Sequence, residues 1–240
     1  MEIIVVKDYL AVSRLAATLL ARQIKAKPDS VLGLPTGRTP EAMYKKLVEL
    51  FSKGVLTFDQ VCTFNLDDYV GLDQSHPDSY YSYMKKNLFS LVNLRAENIY
   101  FPNGDSADLA DECADYERSI DSVGGIDLLI LGIGHNGHLG FCEPGTSFAS
   151  KTHLVDLSED TRTINKELMS ELNEVPERAI SMGIGTMLKA RSIILLASGS
   201  SKRDALKAAL SGPVTESVPA SVLQTHPDVI VIMDDAASLD

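Results

Sequence analysis

The sequence predicts a doubly wound α/β fold: a mostly parallel sheet with helices on both faces, in a Rossmann-like three-layer arrangement. Two observations lead there. Short apolar, β-branched runs alternate along the chain with longer amphipathic stretches. Several of those runs are apolar at nearly every position, as parallel strands covered on both faces must be. The chain has 240 residues, near the upper size that one hydrophobic core serves. With no internal repeat, linker or low-complexity segment, residues 1–240 are expected to form one domain.

Each element has its own justification. Residues 3–6 (IIVV) read as the first strand. Residues 8–27 read as a helix, with Asp8 as N-cap and Leu10, Leu15, Leu19 and Ile24 near helical spacing. Residues 30–34 form the next strand, and 40–53 a helix opened by Thr39-Pro40, a cap residue followed by proline at the first helical position. Residues 60–65 are a strand, 107–122 a helix and 127–131 a strand. Residues 178–182, 192–197 and 229–233 are assigned to the same sheet, with a helix over 201–210. In such folds ligands bind at the carboxyl ends of strands, so the residues that follow each strand carry the functional information.

Composition narrows the function. Apolar residues make up 45% and charged residues 23%, ordinary for a globular protein. The net charge of −11 argues against nucleic acid as a partner, but a small anion feels its local pocket instead. No run approaches the ~20 apolar residues of a membrane span, and MEIIVVKDYL lacks the features of a signal peptide. Cys62, Cys113 and Cys142 are odd in number and widely spaced, which is no disulfide framework. A reducing, cytoplasmic location is expected.

Three strand-end loops carry chemistry. In Gly33-Leu34-Pro35-Thr36-Gly37-Arg38-Thr39-Pro40, a strand runs through a glycine loop into a helix start. Free backbone N–H groups, a helix dipole, the hydroxyls of Thr36 and Thr39 and the Arg38 guanidinium then make a phosphate cradle around Gly37. It is not a Walker loop, since the spacing differs and no Gly-Lys-Ser/Thr is present. In Asn65-Leu66-Asp67-Asp68-Tyr69, two adjacent carboxylates follow a strand. Neighbours in extended chain point to opposite sides, so one is expected in the pocket and the other in a structural role. A pocket carboxylate with a raised pKa can take a proton from carbon next to a carbonyl.

The third loop is Gly132-Ile133-Gly134-His135-Asn136-Gly137-His138-Leu139-Gly140-Phe141-Cys142-Glu143-Pro144-Gly145. It contains a literal G-x-G-x-x-G, with Asp156 about where a ribose-binding acid would lie. The dinucleotide fingerprint requires the last glycine to open a helix, whereas Pro144 and Gly145 stop any helix within two turns. The glycines instead allow close approach of the backbone to a ligand, and His138 with a nearby carboxylate makes an acid/base pair. His135, His138 and Glu143 are also a set of three metal donors, but the zinc-enzyme signatures H-E-x-x-H and H-x-E…P-C-x-x-C are absent. Cys142 as a nucleophile lacks support, because nothing near it in sequence would activate the thiol. Further along, Arg162 stands near a helix start, and Ser198-Gly199-Ser200-Ser201-Lys202 forms a second strand–loop–helix anion site with a lysine.

Together these stretches resemble the glucosamine-6-phosphate deaminase (isomerase) family. The match runs through LPTGRTP (34–40), FNLDDYVGL (64–72), HPDSYYSYM (76–84), LGIGHNGHLGFCEPGTSF (131–148), DTR (160–162) and SGSSK (198–202), in the family's order and over nearly the whole chain. The resemblance implies conversion of glucosamine 6-phosphate and water to fructose 6-phosphate and ammonia, in amino-sugar catabolism, with no cofactor. It implies that His138 assists ring opening, with Glu143 and Asn136 as its polar support. It implies that Asp67 moves the C2 proton to C1, and that Thr36, Gly37, Arg38, Arg162 and Lys202 hold the phosphate.

Many family members carry Asp where this chain has Asn136, so any carboxylate partner of His138 must be Glu143. Longer members carry a C-terminal extension and form hexamers activated by N-acetylglucosamine 6-phosphate. This sequence ends soon after VIVIM, so a monomer or small homo-oligomer is expected. The segment 156–169 lies where a lid would close. Two rivals remain on the sequence. A 6-phosphogluconolactonase shares the glycine loops but has an apolar residue in place of the acid Glu143. A non-catalytic sugar-phosphate sensor would carry a basic helix-turn-helix, which the sequence lacks.

Overall fold

The computed structural model describes residues 1–167 and 169–239. Leu168, inside the segment expected to act as a lid, and Asp240 lie outside the described residues. The strands are β1 (Glu2–Val6), β2 (Val31–Leu34), β3 (Cys62–Asn65), β4 (Asp67–Tyr69), β5 (Ile99–Tyr100), β6 (Leu128–Gly132), β7 (His153–Asp156), β8 (Arg178–Ser181), β9 (Ser192–Ala197) and β10 (Val229–Asp234). The helices are α1 (Tyr9–Ala26), α2 (Glu41–Ser52), α3 (Tyr80–Asn87), α4 (Leu109–Ser122), α5 (Glu159–Lys166), α6 (Ile184–Met187) and α7 (Arg203–Ser211).

A 7-stranded sheet runs in the order β1-β10-β9-β6-β2-β3-β5, and its pairings are parallel. Its strands are apolar throughout because each face meets its own core. On β6, Leu128 and Ile130 join one cluster, with Val12, Ala16 and Leu20 of α1 and Met43 and Leu47 of α2. Leu129 and Leu131 point the other way, to Tyr116 and Ile120 of α4 and Leu206 of α7. Helices therefore cover both faces, and the predicted three layers are present.

The order of the sheet also locates the site. From β2 the chain builds outward through β3 to β5, then returns to lay β6 on the other side of β2. The crevice between β2 and β6 is the topological switch point, where parallel sheets of this kind bind ligands.

Local signals set the helix starts. Asp8 accepts the Ala11 N–H at 2.8 Å, as expected of an N-cap. Asp108 accepts the N–H groups of Ala110 and Asp111, so α4 begins two residues later than 107. Pro40 itself, not Thr39, occupies the cap position of α2 and supplies no side-chain hydrogen bond.

One strand assignment is corrected. Residues 178–182 do not join the parallel sheet. Arg178–Ser181 forms a separate 3-stranded antiparallel sheet, in the order β4-β8-β7. Strand-like composition does not encode a pairing partner, and the partners β4 and β7 carry too many polar residues to read as strands.

Candidate active site

A cavity of about 350 Å³ opens at the switch point. Its walls come from the loops after β2, β3, β6 and β9, and from α5 above them. Thr36, Gly37, Arg38, Asp67, His138 and Lys202 all line it. These residues span most of the chain in sequence, and the fold brings them to one place.

The glycines of the third loop do not serve a nucleotide. The loop opens no helix through Gly145. Gly134 leaves room for His138: a Cβ there would lie 2.3 Å from the imidazole Nε2. Gly134 N–H also donates to the His138 carbonyl at 2.9 Å, which closes the turn. Gly140, with φ +57°, brings backbone against the acid of another strand end, since a Cβ there would stand 3.1 Å from Asp67 Oδ2.

Behind His138 sits Glu143, its Oε2 3.5 Å from the imidazole Nδ1, with both side chains 17% exposed. Asn136 donates from Nδ2 to the same Oε2 at 2.7 Å, and its Oδ1 accepts the His138 N–H at 3.2 Å. The other carboxylate oxygen, Oε1, accepts the hydroxyl of Thr161 at the start of α5, with Ser158 Oγ 3.4 Å away. Burial raises the Glu143 pKa, but His138, Thr161 and Asn136 together outweigh it and hold the carboxyl at about 2. Glu143 is thus a fixed anion, and Asn136 acts as a hydrogen-bonding brace with no charge of its own.

The two aspartates separate as the extended backbone requires. Asp68 turns inward and accepts the N–H groups of Tyr69, Tyr80 and Tyr81, anchoring the start of α3. Asp67 lines the cavity and is 5% exposed. Burial pushes its carboxyl up to about 8, and the neighbouring Asp68 charge adds to the shift. That places its proton affinity near neutrality, where a general base works best.

Two other loops of the cavity carry the candidate anion-binding elements. Outer tyrosines hold the first loop by its carbonyls: Tyr44 donates to Pro35 O, Tyr83 to Gly37 O and Tyr9 to Arg38 O. Among the described residues, the N–H groups of Thr36, Gly37, Arg38 and Thr39 have no protein acceptor. From the facing loop, Lys202 enters with no carboxylate in ion-pair range among the described residues. Burial of this ammonium lowers its pKa. Arg38 also reaches the cavity, but its guanidinium pairs at 3.0 Å with Glu167 beyond α5, and both partners are mostly exposed. Such a surface pair is weak.

Arg162 departs from expectation. It does not line the cavity. On α5 the residues facing the cavity are Thr161, Ile164 and Asn165, an i, i+3, i+4 set. Arg162 follows Thr161 by one position, about 100° around the helix, and its Nη1 lies 3.9 Å from Glu177 instead. Ile164 and Asn165 also line the cavity, although nothing in the sequence singles them out. The spacing of 161, 164 and 165 was a legible helical face, but it has meaning only once α5 is known to lie over the sheet. The metal reading also fails to assemble: among the described residues, no group of three His, Cys, Asp or Glu side chains is placed to hold an ion. Cys142 is buried and hydrogen-bonded to Met182 O, with its thiol pushed up to about 12 by burial, the reverse of an activated nucleophile.

The fold and site together define an enzyme-like pocket at the switch point of an open parallel sheet, lined by Asp67, His138, Arg38 and Lys202. Comparison with known proteins agrees. A sequence model of glucosamine-6-phosphate isomerases/6-phosphogluconolactonase matches residues 9–231, and the chain belongs to that family. Among its relatives, a glucosamine-6-phosphate deaminase of Thermoanaerobacter pseudethanolicus is 49% identical over 100% of this chain and 95% of its own length. One from Clostridium botulinum (strain Kyoto / Type A2) is 51% identical over 99% of this chain and 98% of its own. A solved monomeric glucosamine-6-phosphate deaminase superposes with a TM-score of 0.97 at 44% identity, covering 100% of both chains. The 6-phosphogluconolactonase of Thermotoga maritima has a TM-score of 0.77 at 21% identity, over 98% of this chain and 99% of its own, which is likeness of fold.

Proposed function

We propose that this chain converts glucosamine 6-phosphate and water to fructose 6-phosphate and ammonia. The observation that carries this reading is one cavity with two acid–base centres, Asp67 and the His138–Glu143 pair, and an anion cradle that includes Lys202. The relatives at about half identity support it.

Each step uses a group on the cavity wall. The phosphate rests on the free N–H groups of Thr36 to Thr39, with Lys202 and Arg38 supplying charge. His138 takes the proton of the anomeric hydroxyl and returns it to the ring oxygen. The C1–O5 bond breaks and an open-chain aldehyde forms. Ionised Glu143 stabilises the imidazolium formed in passing. Asp67, as the carboxylate, takes the proton from C2, and a proton from the C2 ammonium passes to the carbonyl oxygen to give an enolamine. The same proton returns at C1, leaving an imine at C2. Water adds to that imine and ammonia leaves, giving the ketose. No step requires a redox or electron-sink cofactor.

The whole chain acts as one domain on this reading. A monomer fits it, since all the groups named come from one copy and the solved deaminase at 44% identity is described as monomeric. A reducing, cytoplasmic setting suits the three free, buried cysteines, and no helix among the described residues is long and apolar enough to cross a membrane.

Lys202 provides the test of phosphate recognition. Lys202→Met removes a charge-assisted contact while keeping the stem. Its KM for glucosamine 6-phosphate is expected to rise about 10–100-fold, with a smaller change in kcat. A variant with wild-type KM would remove Lys202 from the phosphate site.

A further inference from the structure

The carboxylate of Glu143 is divided between two parts of the molecule. Oε2 faces the glycine loop, where it meets His138 Nδ1 and Asn136 Nδ2. Oε1 faces α5, where the Thr161 hydroxyl donates to it and Ser158 Oγ lies at 3.4 Å. Thr161 is 4% exposed and also lines the cavity. Its backbone N–H is occupied separately, by the Ser158 cap at 3.2 Å, so the hydroxyl is free to serve Glu143. Ser158 donates to Thr161 Oγ1 at 3.0 Å, which orients the Thr161 proton toward the carboxylate.

From this geometry we infer that Thr161 is a positioning residue: its hydroxyl ties the capping helix to Glu143 and thereby sets the carboxylate against His138. The inference rests on the proposed ring-opening role of the His138–Glu143 pair. A carboxylate can rotate about its last torsion, which is broad. With Asn136 alone as a strong donor, nothing would fix which oxygen meets the imidazole. The 3.5 Å separation from Nδ1, longer than a well-formed hydrogen bond, leaves the orientation of Glu143 to its other partners. Coupling through α5 has a second consequence. The helix that presents Ile164 and Asn165 to the cavity also completes the acid–base pair, so displacement of α5 loosens the catalytic loop.

The groups that face Glu143 are few. His138 is the titratable one, Asn136, Ser158 and Thr161 are neutral donors, and the adjacent Cys142 thiol titrates far above neutrality. Losing the Thr161 donor removes one of the influences that keep the carboxyl low, so protonation of Glu143 moves to higher pH. The variant should therefore lose activity preferentially on the acid side.

The test compares wild type, Thr161→Val and Thr161→Ser for ammonia release from glucosamine 6-phosphate across pH, beside thermal unfolding. Valine keeps the shape and loses the hydroxyl. It is expected to lower kcat by about tenfold with KM changed less. Its activity relative to wild type should fall further on the acid limb of the profile. Serine restores the donor and should recover most of kcat and the wild-type pH profile. The inference is overturned if Thr161→Val keeps wild-type kcat and pH profile, or if the serine variant is as impaired as valine while both unfold at the wild-type temperature. Absence of ammonia release by the wild type would instead refute the functional reading itself.

Discussion

Asp67→Asn is expected to lower kcat for glucosamine 6-phosphate by roughly 10²–10⁴-fold, while substrate affinity measured by calorimetry stays near wild type. The carboxylate is the group proposed to move a proton between carbons, and the proposed phosphate contacts are made by other residues, Thr36 to Thr39 and Lys202. Asparagine has nearly the same shape but no basic oxygen. A second effect runs the opposite way. Burial raises the folded-state pKa of Asp67 from 3.8 to about 8. Between those values the native state holds a proton that the unfolded chain has released, so stability declines as pH rises through that range. Asparagine bears no such cost. The variant should therefore melt at or above the wild-type temperature at pH values above about 8, losing activity and gaining stability together. The wild-type kcat/KM should climb with pH toward about 8 as Asp67 ionises. A variant that turns over normally would remove Asp67 from the mechanism.

His138→Gln is expected to cost a comparable factor, roughly 10²–10⁴ in kcat, for a different reason. The variant keeps Asp67 but cannot carry a proton between the anomeric hydroxyl and the ring oxygen. Turnover then depends on the small open-chain fraction formed in solution. Ring opening in water is itself subject to general acid–base catalysis. Raising the concentration of a buffer that catalyses it should therefore accelerate the glutamine variant and leave the wild-type rate unchanged. Assays at fixed pH and ionic strength with increasing buffer would show this. An unaffected variant rate would place the defect at another step. Glutamine also fits the slot over Gly134 that the imidazole fills, so gross displacement of the loop is not expected.

Much of this site was legible before the fold. The glycine loop read as an acid–base element because Pro144 and Gly145 forbid the helix a nucleotide fingerprint needs, and the structure has no helix there. That Asp67 and Asp68 point apart followed from strand geometry, while the choice of Asp67 for the pocket came with the family resemblance. The parallel sheet followed from runs apolar on both faces. What failed to show was pairing and rotation. Residues 178–182 look like any buried strand, yet their partners are β4 and β7 in a second sheet. That sheet matters to function: Asp67 pairs with Ser181, whose hydroxyl accepts the Phe141 N–H of the glycine loop at 3.2 Å. Arg162 came into the phosphate set through the family resemblance; on α5 it stands beside the cavity-facing residues 161, 164 and 165 and not among them, and the sequence does not show which face of that helix meets the cavity. Thr161, its neighbour, carried no charge to attract notice, yet it holds the oxygen of Glu143.

The central claim is that one cavity joins ring opening, isomerisation and loss of the amine on a phosphorylated amino sugar. The most direct measurement is ammonia and fructose 6-phosphate formation from glucosamine 6-phosphate by the purified wild-type chain, run beside hydrolysis of 6-phosphogluconolactone. The two products are expected in equal amounts from the amino sugar, with no significant opening of the lactone. Lactone hydrolysis without ammonia release would contradict it.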